Sequence, residues 1–198
     1  MFANSPALAL FGGPPDRLST ASARRTVVTL PWSDGPLPGD PWLAHLLPRR
    51  DYNTRLLDRL ATAPPPPGAA VALFLADPLL RLRPTLRRLR AQGVAGIAAF
   101  PGLSRFGGGF GDALAQAGLT PRMEAERLAE AREAGFVTLA AVWDGARWPD
   151  DMPSPDHVLA PAGTRLRPTG ATRWAYPSGP AGRRPRDLMI CAAAPQSP

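Results

Sequence analysis

The sequence predicts an α/β protein with a mainly parallel sheet, either a (β/α) barrel or an open sheet. Three observations carry this. The unbroken apolar run at 69–76 suits a strand covered on both faces, and further mainly apolar strands read at 94–100 and 136–143. Segments with leucines at helical spacing lie between them. Pro and Gly, 26 and 19 of 198 residues, punctuate the joins.

Residues 1–25 carry Pro, Gly and Ser without periodicity and read as a tail. Thr26-Val27-Val28-Thr29-Leu30 is a short β-branched run closed by Pro31, a first strand. Residues 32–41 form a loop, and Trp42 to Leu47 one or two helical turns stopped by Pro48. Asp51 is placed to cap a helix through about Ala61, with Leu56, Leu57 and Leu60 as its apolar stripe and Asp51–Arg55 as an i,i+4 pair. Pro64 to Pro67 is a stiff spacer leading into the strand at 69–76.

Asp77-Pro78 reads as a helix start, Asp as cap and Pro at the first position. Leu79, Leu82, Leu86 and Leu89 form the buried stripe, Pro84 kinks the helix or delays its start, and Gly93 ends it. A strand at 94–100, a loop to Gly109 and a short helix from Phe110 to Ala117 follow. Pro121 to Ala134 is a longer helix capped by Thr120, and 136–143 is the next strand. Shorter strands are expected at 156–160 and 187–191. Leu73, Leu75, Ile97, Val137, Leu139 and Val142 are the expected sheet core, with Leu82, Leu86, Leu89 and Leu128 covering it.

Composition narrows function. The 23 basic residues are all Arg, against 16 acidic ones, a net charge of +7. The arginines are interleaved with Asp and Glu and are not joined by an RNA-binding aromatic motif or a Cys/His finger, so nucleic acid is not the expected partner. An Arg-rich polyanion-binding role stays open as a minor alternative. The longest apolar run, Gly68 to Ala76, is far short of a membrane span. The N-terminal stretch Ala7 to Phe11 lacks the charged lead of a signal peptide. A lone Cys191 excludes a disulfide within the chain, and His45 and His157 are each isolated. The expected location is cytoplasmic.

Candidate chemistry lies at strand ends, where parallel α/β folds place their sites. Asp77 follows one apolar strand and Asp144 another; Asp77 suits a metal, a base or a helix cap before Pro78, and Asp144 suits a divalent ion or a turn with Gly145. The loop Arg105-Phe106-Gly107-Gly108-Gly109 precedes a helix, so its backbone N–H groups can cradle an anion, with Arg105 adding charge. It is not a P-loop, because no Gly-Lys-Ser/Thr follows. Glu124 and Glu126, two apart, cannot share a helix face.

Gly93-Val94-Ala95-Gly96-Ile97, Phe100-Pro101, Phe110, Leu114, Gly118, Glu124-Ala125-Glu126, Leu128-Ala129, Thr138 and Val142 run in order as one block. Upstream stand Leu46-Leu47-Pro48, Asp51, Asn53 and Asp77-Pro78. Together these residues resemble the signature region of the TIM-barrel phosphoenolpyruvate hydrolase-like family, over roughly residues 26–145. The resemblance implies a TIM-barrel-like fold and a small phosphorylated or carboxylated acid as ligand. It also implies a divalent metal, Mg or Mn, and catalytic positions at Asp77 and Glu124. In this picture Asp77 and Asp144 hold the metal, and Arg105, Gly107, Gly108 and Gly109 bind the ligand.

Departures from the family pattern point to weakened or lost catalysis. Ala98-Ala99 replaces Gln-Asn, Gly107 replaces an acidic residue, and Phe74-Leu75-Ala76 replaces Cys-Ala-Thr. Five or six strands fall short of the eight a closed barrel needs, so a shortened or incomplete barrel is expected. A second copy or a partner subunit would then cover its exposed edges, and a non-catalytic regulatory barrel is the alternative reading. The expected layout is a tail at 1–25, a TIM-barrel-like domain at 26–163, and a Pro/Gly/Arg-rich extension at 164–198 that includes the last strand.

Overall fold

The computed structural model describes residues 9–11, 26–28, 51–65, 67–100, 102–142, 149–161, 172–176 and 189–191. They form a mixed α/β fold. The strands are β1 (Ala9–Phe11), β2 (Thr26–Val28), β3 (Ala70–Leu73), β4 (Gly96–Ala99), β5 (Val137–Ala141), β6 (His157–Pro161), β7 (Thr172–Tyr176) and β8 (Met189–Cys191). The helices are α1 (Tyr52–Thr62), α2 (Leu82–Ala91), α3 (Gly108–Gln116) and α4 (Pro121–Glu133), with a 3-10 turn at Leu103–Arg105.

The sheet order is β7-β6-β5-β4-β3-β2-β1-β8. Strands β2 to β6 form a five-stranded parallel core. β1 and β7 extend it in parallel, and β8 joins β1 antiparallel. From β1 to β7 the order never reverses, unlike a doubly wound sheet, in which the order reverses at a switch point. Right-handed crossovers in such an order put every connecting helix on one face. The helices do form one layer: Arg88 of α2 donates to the Leu57 carbonyl of α1 at 3.0 Å, and Arg83 of α2 pairs with Glu130 of α4 at 2.7 Å.

Register decides what each face carries. Val28, Val71 and Ile97 lie side by side, as do Leu73, Ala99, Ala140 and Val158. These rows share a core cluster with Leu56, Leu60, Leu86, Leu89 and Leu128 of the helices. The intervening row, Ala72, Ala98 and Leu139, points the other way by strand alternation, yet it too is buried. The sheet is therefore covered on both faces although its helices line only one.

Several expectations need correction. Ala9–Phe11, inside the stretch read as a tail, is β1, and Thr172–Tyr176, inside the Pro-rich extension, is β7. Val137 is 42% exposed because it opens β5 at the sheet's rim. Asp77-Pro78 does not start a helix: Asp77 makes a local turn, accepting from the Leu79 N–H at 2.8 Å, and α2 begins at Leu82. Leu79 is accordingly 82% exposed and outside the stripe. Pro84 sets this start, because in the first helical turn its missing N–H breaks no hydrogen bond. Gly93 ends α2 at φ +79, where the Val94 N–H returns to the Leu89 carbonyl at 3.1 Å. The helical turns expected at 42–47 lie outside the described residues. No helix among the described residues is long and apolar enough to cross a membrane.

Candidate functional site at the carboxyl ends of β3 and β4

α1 brings the first polar group. Asp51 caps it, accepting from the Thr54 N–H at 2.9 Å, and Leu56 and Leu60 anchor its inner face. That same face carries Asn53, three residues before Leu56, so an amide is buried among apolar side chains. Asn53 behaves like an added strand beyond the end of β3. Its Oδ1 accepts from the Phe74 N–H at 3.0 Å, and its Nδ2 donates to the Phe74 carbonyl at 2.9 Å. Its second amide hydrogen reaches Asp77 Oδ2, also at 2.9 Å.

Asp77 is thus held twice, by Asn53 on Oδ2 and by the Leu79 N–H on Oδ1. Its backbone is held as well. Arg127 of α4 donates through Nη1 to the Leu75 and Asp77 carbonyls, each at 2.6 Å.

One turn earlier on α4 lies Glu124. Thr120 caps the helix by accepting from the Met123 N–H, Pro121 takes the first turn, and Leu128 and Ala131 continue the buried face. Glu124 shares that face and is 4% exposed. Its Oε2 accepts from the Leu103 N–H at 2.7 Å; its Oε1 is buried without a hydrogen-bond partner among the described residues. Burial raises its pKa to about 8 against the opposing pull of the Leu103 hydrogen bond, so the carboxyl is mostly protonated at pH 7.

The turn that Glu124 grips is pinned from β5 too. Ser104 donates to the Ala141 carbonyl at 3.1 Å. Gly102 lies so close that a Cβ there would sit 2.4 Å from the same oxygen. Beyond the turn, α3 starts at Gly108, two residues earlier than the sequence suggests, with Gly107 as its cap residue. A Cβ at Gly107, Gly108 or Gly109 would meet nothing within 4 Å, so this helix start faces open space. The Phe106 and Phe110 rings meet edge to face at 5.5 Å beside it.

Asp77 thus lies in the turn after β3, Gly107 to Gly109 span the cap and first turn of α3 after the β4 loop, and Glu124 lies on α4 with its side chain on the Leu103 turn. Arg105 lies in the 3-10 turn by its backbone. Asp144 and His45 fall outside the described residues. Among the described residues no three His, Cys, Asp or Glu side chains gather as a metal cluster. Glu126 faces solvent and pairs with Arg122 at 3.1 Å.

At the opposite, amino end of β5, Asp156 accepts from the Thr138 N–H and hydroxyl, each at 2.8 Å, and pairs with Arg132. Partial burial opposes ionisation there, but the two Thr138 hydrogen bonds and the Arg132 charge outweigh it, and the pKa falls below the usual Asp value. His157 beside it is pushed down by burial, against the Asp156 charge.

Arg127 was not singled out by the sequence, and Asn53 entered only through the family resemblance. The signal for Asn53 was present as a polar residue inside an apolar helical stripe. Arg127 left none, since its partners are backbone carbonyls on another element. Many arginines act as ties: Arg90 donates to the Ala134 carbonyl and lies 4.4 Å from the Phe136 ring centre, and Arg122 pairs with Asp151 at 2.6 Å. No protein-family model matches the chain, and no curated protein matches it.

Proposed function

We propose that this chain is a divergent phosphoenolpyruvate hydrolase-like barrel protein. It binds a small phosphorylated or carboxylated acid at the loops after β3 and β4, and its catalysis is weakened or lost. The observation that carries the proposal is the Asn53–Asp77 hydrogen bond. Asn53 and Asp77, two of the matched positions upstream of the main block and 24 residues apart, meet just beyond the carboxyl end of β3, where such folds place their sites. The non-reversing parallel order from β1 to β7 and the burial of both sheet faces support a barrel-related architecture, with β7 and the antiparallel β8 at the two ends of the described strand order.

Binding would use the open N–H groups at the start of α3, with Arg105 in the preceding turn. A Mg²⁺ or Mn²⁺ ion suits this arrangement. Such ions take one or two carboxylates and complete their shell with water and ligand oxygens. The engaged oxygens of Asp77 keep lone pairs for that purpose, and Asp144 is the second carboxylate of the proposal. The ion would supply charge neutralisation for the bound acid.

Weak catalysis follows from what the site lacks. Ala98 and Ala99 end β4 without a hydrogen-bonding side chain, and removal of one such donor can cost about 10²–10³-fold in rate. Burial pushes the Glu124 pKa up to about 8, so it is mostly protonated at pH 7, which disfavours it as a general base there. The test is thermal-shift titration with phosphoenolpyruvate or oxalate, with and without Mg²⁺ or Mn²⁺. Saturating ligand should stabilise the chain, by roughly 2.7 kcal/mol at 100 times Kd, and Asp77→Asn should reduce the shift. No shift with any of these acids overturns the proposed ligand class. Phosphate release from phosphoenolpyruvate at ~1 s⁻¹ or faster, abolished by Asp77→Asn, overturns the loss of catalysis.

A further inference from the structure

We infer that Glu124 is a protonation-controlled latch: as a neutral acid it holds the turn after β4 against α4, and its ionisation releases that turn. The functional meaning of the latch, control of the anion-binding loop, rests on the reading above; the latch itself does not.

The geometry is that of a fastener with one loose end. Oε2 accepts the Leu103 N–H, the only link from α4 to this turn that is made by an ionisable side chain among the described hydrogen bonds. Oε1 is buried with no partner among the described residues. A neutral carboxyl tolerates this far better than a carboxylate does, because an ion left half-solvated in an apolar site carries a much larger desolvation cost. Releasing Leu103 is how the ion would reach water. Gly102 and Ser104, hinged at the Ala141 carbonyl, bracket the segment that would move. Immediately beyond it lies the open start of α3.

Among the described hydrogen bonds and ion pairs, none brings a basic side chain to Glu124. β4 and β5 are built from Gly, Ile, Ala, Val, Thr and Leu, without an ionisable side chain. On α4 itself, Arg127 is committed to the Leu75 and Asp77 carbonyls, while Glu126 and Glu130 pair with Arg122 and Arg83. The 3-10 turn contributes Arg105 as its one charged residue. The direction of the titration agrees. An acid at about 8 when closed and about 4.5 when released makes opening more favourable as pH rises between those values. By linkage, opening then grows on the order of 50-fold from about pH 6 to about pH 8 and levels off above about pH 9.

The bond Arg105–Phe106 is a tryptic site inside the latched segment, so nicking reads the opening directly. The full chain is digested briefly with trypsin across this pH range, and cleavage at Arg105 is measured by mass spectrometry. It is normalised to a free peptide spanning 100–110 and compared with cleavage after Arg87 in α2. We expect normalised nicking at Arg105 to rise tens of fold with pH while Arg87 stays protected, and Glu124→Gln to abolish the rise. In the unmutated chain, the exchange protection of the Leu103 amide should fall by the same factor, a readout that does not depend on the variant folding. Flat nicking at Arg105 overturns the latch, as does an equal rise at Arg87 or an equal rise in a folded Glu124→Gln chain. No ligand is involved, so a failure here is distinct from a failure of the proposed binding.

Discussion

Asn53 offers the sharpest test of how the site is built. Asn53→Ala removes three hydrogen bonds at once, two to the Phe74 backbone and one to Asp77. The Phe74 N–H and carbonyl are left facing a cavity in a buried region. Each stranded backbone group costs about 1–3 kcal/mol, and the lost bond to the half-buried Asp77 about 1 kcal/mol more. The expected loss is therefore about 3–7 kcal/mol, a large share of the roughly 5–15 kcal/mol that holds a domain together. Urea denaturation followed by far-UV circular dichroism measures it, with Thr54→Ala as the exposed control, expected to lose less than about 1 kcal/mol. Asn53→Asp sharpens the test. It keeps the acceptor for the Phe74 N–H but sets a second carboxylate against Asp77, so it should be destabilising at pH 7. It should recover on acidification, once one carboxyl of the pair gains a proton and becomes a donor, and burial and the like charge put that recovery above the ordinary Asp range. An Asn53→Ala chain within about 1 kcal/mol of the unmutated one would refute the reasoning, as would an Asn53→Asp chain with no acid recovery.

Three further outcomes are expected. Because the folded pKa of Glu124 lies above its unfolded value, the stability it confers is complete below about pH 4.5 and declines through about pH 8. The decline is at most about 5 kcal/mol; denaturation at stepped pH should show a flatter profile for Glu124→Gln than for the unmutated chain. Gly102→Ala should destabilise clearly, by about 1–3 kcal/mol, since its Cβ meets the Ala141 carbonyl at 2.4 Å, whereas Gly107→Ala, with open space around it, should be near neutral by the same denaturation assay. Leu128→Ala, fully buried under the sheet, should cost about 2–5 kcal/mol, while Val137→Thr at the exposed rim should stay within about 0.5 kcal/mol.

The parts of the fold legible in the sequence are those where burial writes a long pattern. The runs at 69–76, 94–100 and 136–143 announced β3, β4 and β5 because both sheet faces are covered, and Asp51 and Thr120 announced their helices by capping. β1 escaped because three residues, Ala9–Phe11, are too few to show a period. β7 escaped because its Arg173 and its Pro- and Gly-rich flanks resemble loop sequence. Asp77-Pro78 misled because the cap signal was local, while Pro84 six residues later dictated where a helix could begin. At the site, Asp77 and the glycine loop were legible from their place after apolar runs. The latch contact was not, since Leu103 contributes only a backbone N–H, which every residue but proline has. Glu124 could be read as an anomaly in the stripe with Leu128 and Ala131, yet the stripe alone does not say which loop it faces.

The polar side chains at this end of the sheet are largely consumed by holding backbone. Asn53 is committed to Phe74 and Asp77, Arg127 to two carbonyls of the β3 loop, Ser104 to β5, and Glu124 to Leu103. A hydrolytic site needs groups free to gain charge or move protons in the transition state, and these four are committed to fixed ground-state contacts. What stays uncommitted is the Asp77 lone pairs and the N–H groups at the start of α3, an arrangement that suits attraction of an ion or an anion more than turnover. On the proposed reading, weak chemistry with binding retained would follow from this one arrangement. Asn53, Arg127, Ser104 and Glu124 serve as struts for these loops, and α4, which carries two of them, is where the proposed Glu124 latch holds the β4 turn.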